Sequence, residues 1–365
     1  MWSIEQQQEI ADTFYRNFRS VETYYLEKVA NQLKQIGTLK STEINRLEQI
    51  AIMNGNIQDV NKQLTIAVNA SVEELDKVLL QAGSQQYADS LKYYKANGIK
   101  QIDYFDNKTI QALISAVAKE TANTMANLSK STIISKTYTK AIDDAVVAIT
   151  TGLTDYNTAM AKVIREQATL GVQTQSVEYA SGAVRRLDSA VRMNVMDAMH
   201  TVTMQVGLET GKEFGTDGVE ITSHSNPAPD HLFIDGATMS NAQFETFQNT
   251  ASRPIGQLNC YHRAIPVIIG VSVPNMTTEE RAAKIIKSQE KHEYGGKEKT
   301  IYEWTQEQRR LETKIRYQND VMKIADVMGA DITYNQAKAQ KSNLMNNYTN
   351  MSSKLNLEIE PTRLR

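Results

Sequence analysis

The chain is poor in several things, and each shortage excludes something. It has one cysteine, Cys260, in 365 residues. A single thiol cannot form an internal disulfide, so the stapled scaffold of small secreted domains is excluded. No proline precedes Pro227. Proline removes a backbone donor and clashes with the preceding helical turn, so its absence leaves a long segment free to be helix throughout. Net charge is -2, and no global basic field is available to hold nucleic acid or an anionic membrane. No apolar run approaches the ~20 residues that cross a bilayer. The first seven residues, MWSIEQQ, lack the basic-then-apolar pattern of a secretory leader. These points predict a soluble protein folded inside a cell, with no membrane partner. Nucleophile-elbow and phosphate-loop motifs are missing too, which argues against an acyl hydrolase or a nucleotide-driven motor. Tyrosine outnumbers phenylalanine, 16 to 7, as suits half-buried faces where a ring packs and its hydroxyl stays wet.

What is present is mostly helical periodicity. Ile10, Phe14, Phe18, Val21, Tyr25, Val29, Leu33 and Ile36 step by threes and fours and predict one apolar stripe. A second helix is expected from Ser41 to a stop at Asn54-Gly55, and a third behind the capping box Ser71-x-x-Glu74. Asp106 or Asn107 should cap a run through Ile110, Leu113 and Val117. Stripes at Ala141–Ile149 and from Thr154-Asp155 to near Gly171 follow. The most regular runs from Val184 to Val206. Its other face carries Arg185, Arg186 and Arg192, read either as a solvated row or as contacts to DNA or an acidic partner.

From Val219 to Pro274 the composition changes. This stretch holds five of the six prolines, three of the five histidines and the cysteine. Val219–Thr222 alternates like a strand, Ser240-x-x-Gln243 is a capping box, and Ile265–Val271, interrupted by Pro266, fits an edge strand. Four metal-capable side chains, His224, His231, Cys260 and His262, lie here, with Asp230 beside them. Imidazole and thiolate suit a structural zinc ion. The same side chains can equally hydrogen-bond to lock turns around a buried thiol. After Thr277-x-x-Glu280 a charged helix is expected up to Gly295-Gly296. Another should run from Ile301 to Val327, and a polar stretch from Ile332 to Arg365 reads as a loosely held helix or an arm that orders on a partner. Arg309, Arg310 and Arg316 are further candidates for DNA or partner contacts, with Glu312 and Arg316 expected as an i,i+4 pair.

The order of motifs in the module resembles the phage minor capsid protein 2 family of tailed phages and prophages of Gram-positive bacteria. The residues that carry the resemblance are Ser223-His224, Pro229-Asp230-His231, Gly236, Gly256 and Asn259-Cys260-Tyr261-His262-Arg263, flanked by Arg185-Arg186 and by Gln308-Arg309-Arg310. That family is related in role to the Mu F-like head morphogenesis proteins. Four positions depart from its pattern: Ala228 replaces an arginine, Ile234-Asp235 replaces Trp-Gln, and Tyr261 replaces an arginine. The resemblance implies a structural virion component, associated with the portal vertex, that contacts portal and major capsid or scaffold proteins and in some relatives the packaged DNA. Its place would be the phage head, and the bacterial cytoplasm during assembly. The rival reading is a metal-dependent, nuclease-like enzyme using the His/Cys cluster. The expected architecture is mainly α with a small α+β module. A helical scaffold is expected at 1–150, arginine-bearing helices at 151–218, the His/Cys module at 219–274 and a polar helical tail at 275–365.

Overall fold

The structure, a computed structural model, describes residues 2–39, 45–96, 102–130, 134–150, 156–170, 173–174 and 185–364. It is mainly α with a small antiparallel sheet module, as the patterning predicts. Helix α1 (Ile4–Thr38) starts at a Ser3/Gln6 capping box and buries the stripe from Phe14 to Ile36. Each large apolar side chain buried this way contributes about 1.5–3 kcal/mol. Helix α2 (Arg46–Ala96) is continuous for 51 residues, about 75 Å of rod. The stop expected at Asn54-Gly55 and the cap expected at Ser71 do not occur. Ser71 lies fully buried in mid-helix, and nothing stands within 4 Å of a Cβ placed on Gly55. A mid-helix glycine costs about 1 kcal/mol, which the burial of Met53, Val60, Leu64, Val68, Leu75 and Leu79 outweighs.

Helix α3 (Lys108–Lys130) is capped by Asn107, whose side-chain oxygen accepts from the Ile110 N–H at 3.1 Å. Helices α4 (Ile134–Thr150) and α5 (Tyr156–Leu170) follow. The expected cap at Thr154-Asp155 and the residue Val184 lie outside the described residues. A two-residue ladder pairs β1 (Gln173–Thr174) with β2 (Arg185–Arg186). Helix α6 (Leu187–Glu213) then runs through the middle of the helical body. One apolar core draws side chains from α1 to α6 and also from α9 (Ile301–Met328) and α10 (Asp331–Lys354).

Between α6 and α9 the chain makes the module. Strand β3 (Gly218–Ile221) is central, with β4 (Thr238–Ser240) and β5 (Ala264–Val267) antiparallel on either side. Pro266 sits in β5, which pairs on one side only among the described residues, the position where a missing N–H costs least. Helix α7 (Asn241–Thr250) has the expected Ser240/Gln243 box. A small core of Val219, Ile221, Ile234, Phe244, Ile255, Cys260 and Ala264 fills the unit.

The region after Pro274 differs from expectation. Helix α8 (Thr278–Ser288) has its Thr277/Glu280 box but ends early. A hairpin follows, β6 (Lys291–Tyr294) with β7 (Lys297–Thr300). Its turn is Gly295-Gly296, both at positive φ, 60° and 72°, the backbone that a two-residue type I′ turn requires. The polar stretch expected to be loose forms α10, which packs on α9 around Trp304, Leu311, Ile315, Tyr348 and Met351. No helix among the described residues is long and apolar enough to cross a membrane.

Candidate functional site

The module brings three of the four metal-capable residues together. His231 ends a single 3-10 turn, Pro229–His231, whose proline stands at its first position. Cys260 and His262 lie just before β5. The approach to Cys260 is a turn with Leu258 and Asn259 at φ 52° and 60°. That left-handed backbone costs energy for side chains other than glycine. It is held by Asp197 of α6, whose carboxylate accepts from the N–H groups of Leu258 and Asn259 at 2.9 and 3.3 Å. Gly256, at φ 77°, places its backbone close to His200 of α6, so that a Cβ there would lie 3.4 Å from the His200 Cβ.

The result is tight. Cys260 Sγ is 3.4 Å from His231 Nδ1 and 3.5 Å from His262 Nδ1. The three residues are 4%, 2% and 1% exposed. The outer nitrogens are held as well. His231 Nε2 is 2.8 Å from the Arg253 carbonyl, and His262 Nε2 is 3.0 Å from Asp235 Oδ1. Asp235 also accepts from the Ser223 hydroxyl at 2.7 Å and the His224 N–H at 3.2 Å, and pairs with Lys284 at 3.1 Å.

This network sets the charges. Burial alone would raise the Cys260 thiol, but hydrogen bonding with both imidazoles and a backbone contact at Gly256 pull it down to about 6. Burial works against a charge on His262, yet Asp235 and Cys260 together hold it above the ordinary histidine range. Burial would also raise Asp235, and its bonds to His262, Ser223 and Lys284 hold it well below the carboxylate range instead. His224 is different. Its ring lies 4.3 Å from that of His262, centroid to centroid, but offers no atom to the converging set. Burial and the neighbouring His262 charge push it down to about 4. Asp230 stands apart and half-exposed, paired with Arg253. The acidic member of the cluster is Asp235, which lies beyond the residues grouped from sequence.

The candidate arginines are mostly engaged within the chain rather than solvated. Arg186 pairs with Glu22 and with Asp320 at 2.9 Å. Arg192 pairs with Asp12 at 2.5 Å. Arg309 pairs with Glu312 at 3.0 Å and Glu360 at 3.2 Å. Arg316 donates to the Tyr15 hydroxyl at 3.2 Å, so the expected Glu312–Arg316 pair is replaced by Glu312–Arg309. The physical reason is that the fold brings acceptors from α1 to Arg186, Arg192 and Arg316, while Arg309 takes Glu312 one turn along its own helix and Glu360 from the C-terminal segment. Arg310 is exposed and pairs with Glu307 at 2.6 Å. The backbone of Arg185 lies opposite Thr174, and its side chain is outside the described residues.

A cavity of about 760 Å³ opens between the module, α1, α6 and α9, with His224, His231, Cys260 and His262 in its wall. Its other walls carry both signs of charge, Asp12, Glu312 and Glu360 beside Arg192, Arg309 and Arg316. No curated protein and no solved structure matches the chain. The family model described as phage minor capsid protein 2 matches residues 5–350. That span runs from α1 through the module into α10. Helical body, His/Cys module and C-terminal helices thus fall under one pattern, and the chain belongs to the phage minor capsid protein 2 family, structural proteins of the phage head.

Proposed function

We propose that the protein is a minor head protein seated at the portal vertex, where it binds portal protein and neighbouring major capsid or scaffold subunits as the head assembles in the host cytoplasm. The observation that carries this reading is the extent of the family match, residues 5–350, which takes in the scaffold as well as the module. The charge distribution favours protein partners over a grip on packaged DNA. Net charge is -2, and Arg186, Arg192 and Arg309 already hold carboxylates within the chain. Duplex binding draws on several free cations facing phosphates. A role in DNA packaging or ejection would therefore work through the portal. The nuclease-like alternative needs a basic channel leading to the cluster, whereas the cavity wall there mixes carboxylates with guanidiniums.

Co-expression of the full chain with the portal protein of the same phage tests the reading. The expected result is a complex that sediments with portal rings and survives raised salt. A chain that stays free of portal rings and is absent from assembled heads would overturn it.

A further inference from the structure

We propose that His231 Nδ1, Cys260 Sγ and His262 Nδ1 form a site for a zinc-class divalent ion, with the fourth coordination position opening on the cavity beside His224. The first support is proton counting. The Arg253 carbonyl can only accept, so the His231 Nε2 that meets it at 2.8 Å carries the ring hydrogen. The Asp235 carboxylate likewise accepts from His262 Nε2 at 3.0 Å. In the neutral form of each ring Nδ1 therefore presents a lone pair, and both Nδ1 atoms face one sulfur. A single S–H proton can serve one of them. One divalent ion, bound as the thiol releases its proton, serves all three.

The second support is shape. Zinc bonds of about 2.3 Å to sulfur and about 2.0–2.1 Å to nitrogen, set at tetrahedral angles, give an N···S edge of about 3.6 Å. The two edges here are 3.4 and 3.5 Å, and the three ligand atoms all lie within 4.8 Å of one another. The third is the outer layer. Metal-bound imidazoles typically donate their far N–H to a carboxylate or a backbone carbonyl, which fixes tautomer and ring orientation. His262 has the carboxylate and His231 the carbonyl. Such an ion would join the Pro229–His231 turn to the segment leading into β5, in a unit whose own core is small. The site stands independently of the portal reading.

The test uses the full-length chain, stripped with chelator and titrated calorimetrically with Zn²⁺, alongside the Co²⁺ form followed by absorption. The expected result is one ion per chain and a thiolate-to-cobalt charge-transfer band. In Cys260→Ala the band should vanish, with circular dichroism reporting whether the fold is kept. Asp235→Asn should keep the stoichiometry but weaken affinity roughly 10–100-fold, as loss of an outer-layer partner does. His224→Gln and Asp230→Asn should bind as the parent does. Absence of stoichiometric binding by the parent chain overturns the proposal without recourse to any variant, as does undiminished binding in a folded Cys260→Ala.

Discussion

The imidazole of His200, in α6, is 3% exposed, and neither of its ring nitrogens has a hydrogen-bond partner among the described residues. Burial, with the Arg263 charge added, pushes it down to about 3. An unfolded chain takes up this proton near pH 6.5, while the native chain refuses it until far lower. Stability from this residue is therefore complete above pH 6.5 and falls as the pH drops toward 3, by about 1.4 kcal/mol per unit. His200→Met should remove that slope. Relative to the parent it should gain about 2 kcal/mol between pH 7 and pH 5, read from urea unfolding at both. At this scale the sequence shows which residue types cluster but not which atoms meet. His231, Cys260 and His262 were legible because their types are rare in the chain. Asp235 was not, since its partner His262 is 27 residues away and only the fold of the sheet brings them together.

Among the elements, α6 and β5 meet at an unusually close point. A Cβ on Gly211 would lie 2.4 Å from Pro266 Cβ, so the helix carries a glycine where the edge strand crosses it. Gly211→Ala should displace β5 and cost roughly 1–3 kcal/mol, measurable by thermal unfolding. The hairpin β6–β7 is pinned to α9 by Trp304, which is 3% exposed and donates from Nε1 to the His292 carbonyl at 2.8 Å. Trp304→Ala should cost about 3–5 kcal/mol, and proteolysis between Lys291 and Thr300 should quicken. Helices with a one-sided stripe, α1 above all, were readable from spacing because burial imposes the period. Breaks were not. Asn54-Gly55 resembles a stop, yet α2 passes through it because packing along the rod exceeds the local penalty. Gly295-Gly296 was taken as the end of a helix, whereas its two left-handed residues make a hairpin between charged strands that lack an apolar alternation.

Across the whole molecule, a buried cluster of five charges joins the first helix to the ninth. Arg19 reaches Glu22 at 2.8 Å and Asp320 at 2.5 Å, and Arg186 reaches Asp320 at 2.9 Å, with Asp188 at 3.9 Å from Arg19. Burial pushes Glu22 up despite its arginine partners, while Arg186 and Arg19 hold Asp188 low against the same burial. Asp320 is fully buried and shared by both guanidiniums. Asp320→Ala should destabilise the chain by about 3–5 kcal/mol, the usual penalty for leaving buried charge uncompensated. In chemical denaturation this should appear as a lower midpoint. Nothing in the spacing of single residues announces such a cluster, because each member reads locally as a solvated helix charge.

The separation of Arg19 from Asp320, 301 positions, also bears on how the protein is made. At about 5–20 residues per second, a ribosome releases α1 roughly 15–60 s before the Asp320 carboxylate that Arg19 shares with Arg186. Through that interval Glu22, three residues away, is the partner Arg19 has within its own helix. Chains terminated before α9 would lack that carboxylate and the α9 side chains of the shared core. Only chains extended through α9 carry the carboxylate that both guanidiniums share, so this cluster is among the last parts of the fold to close.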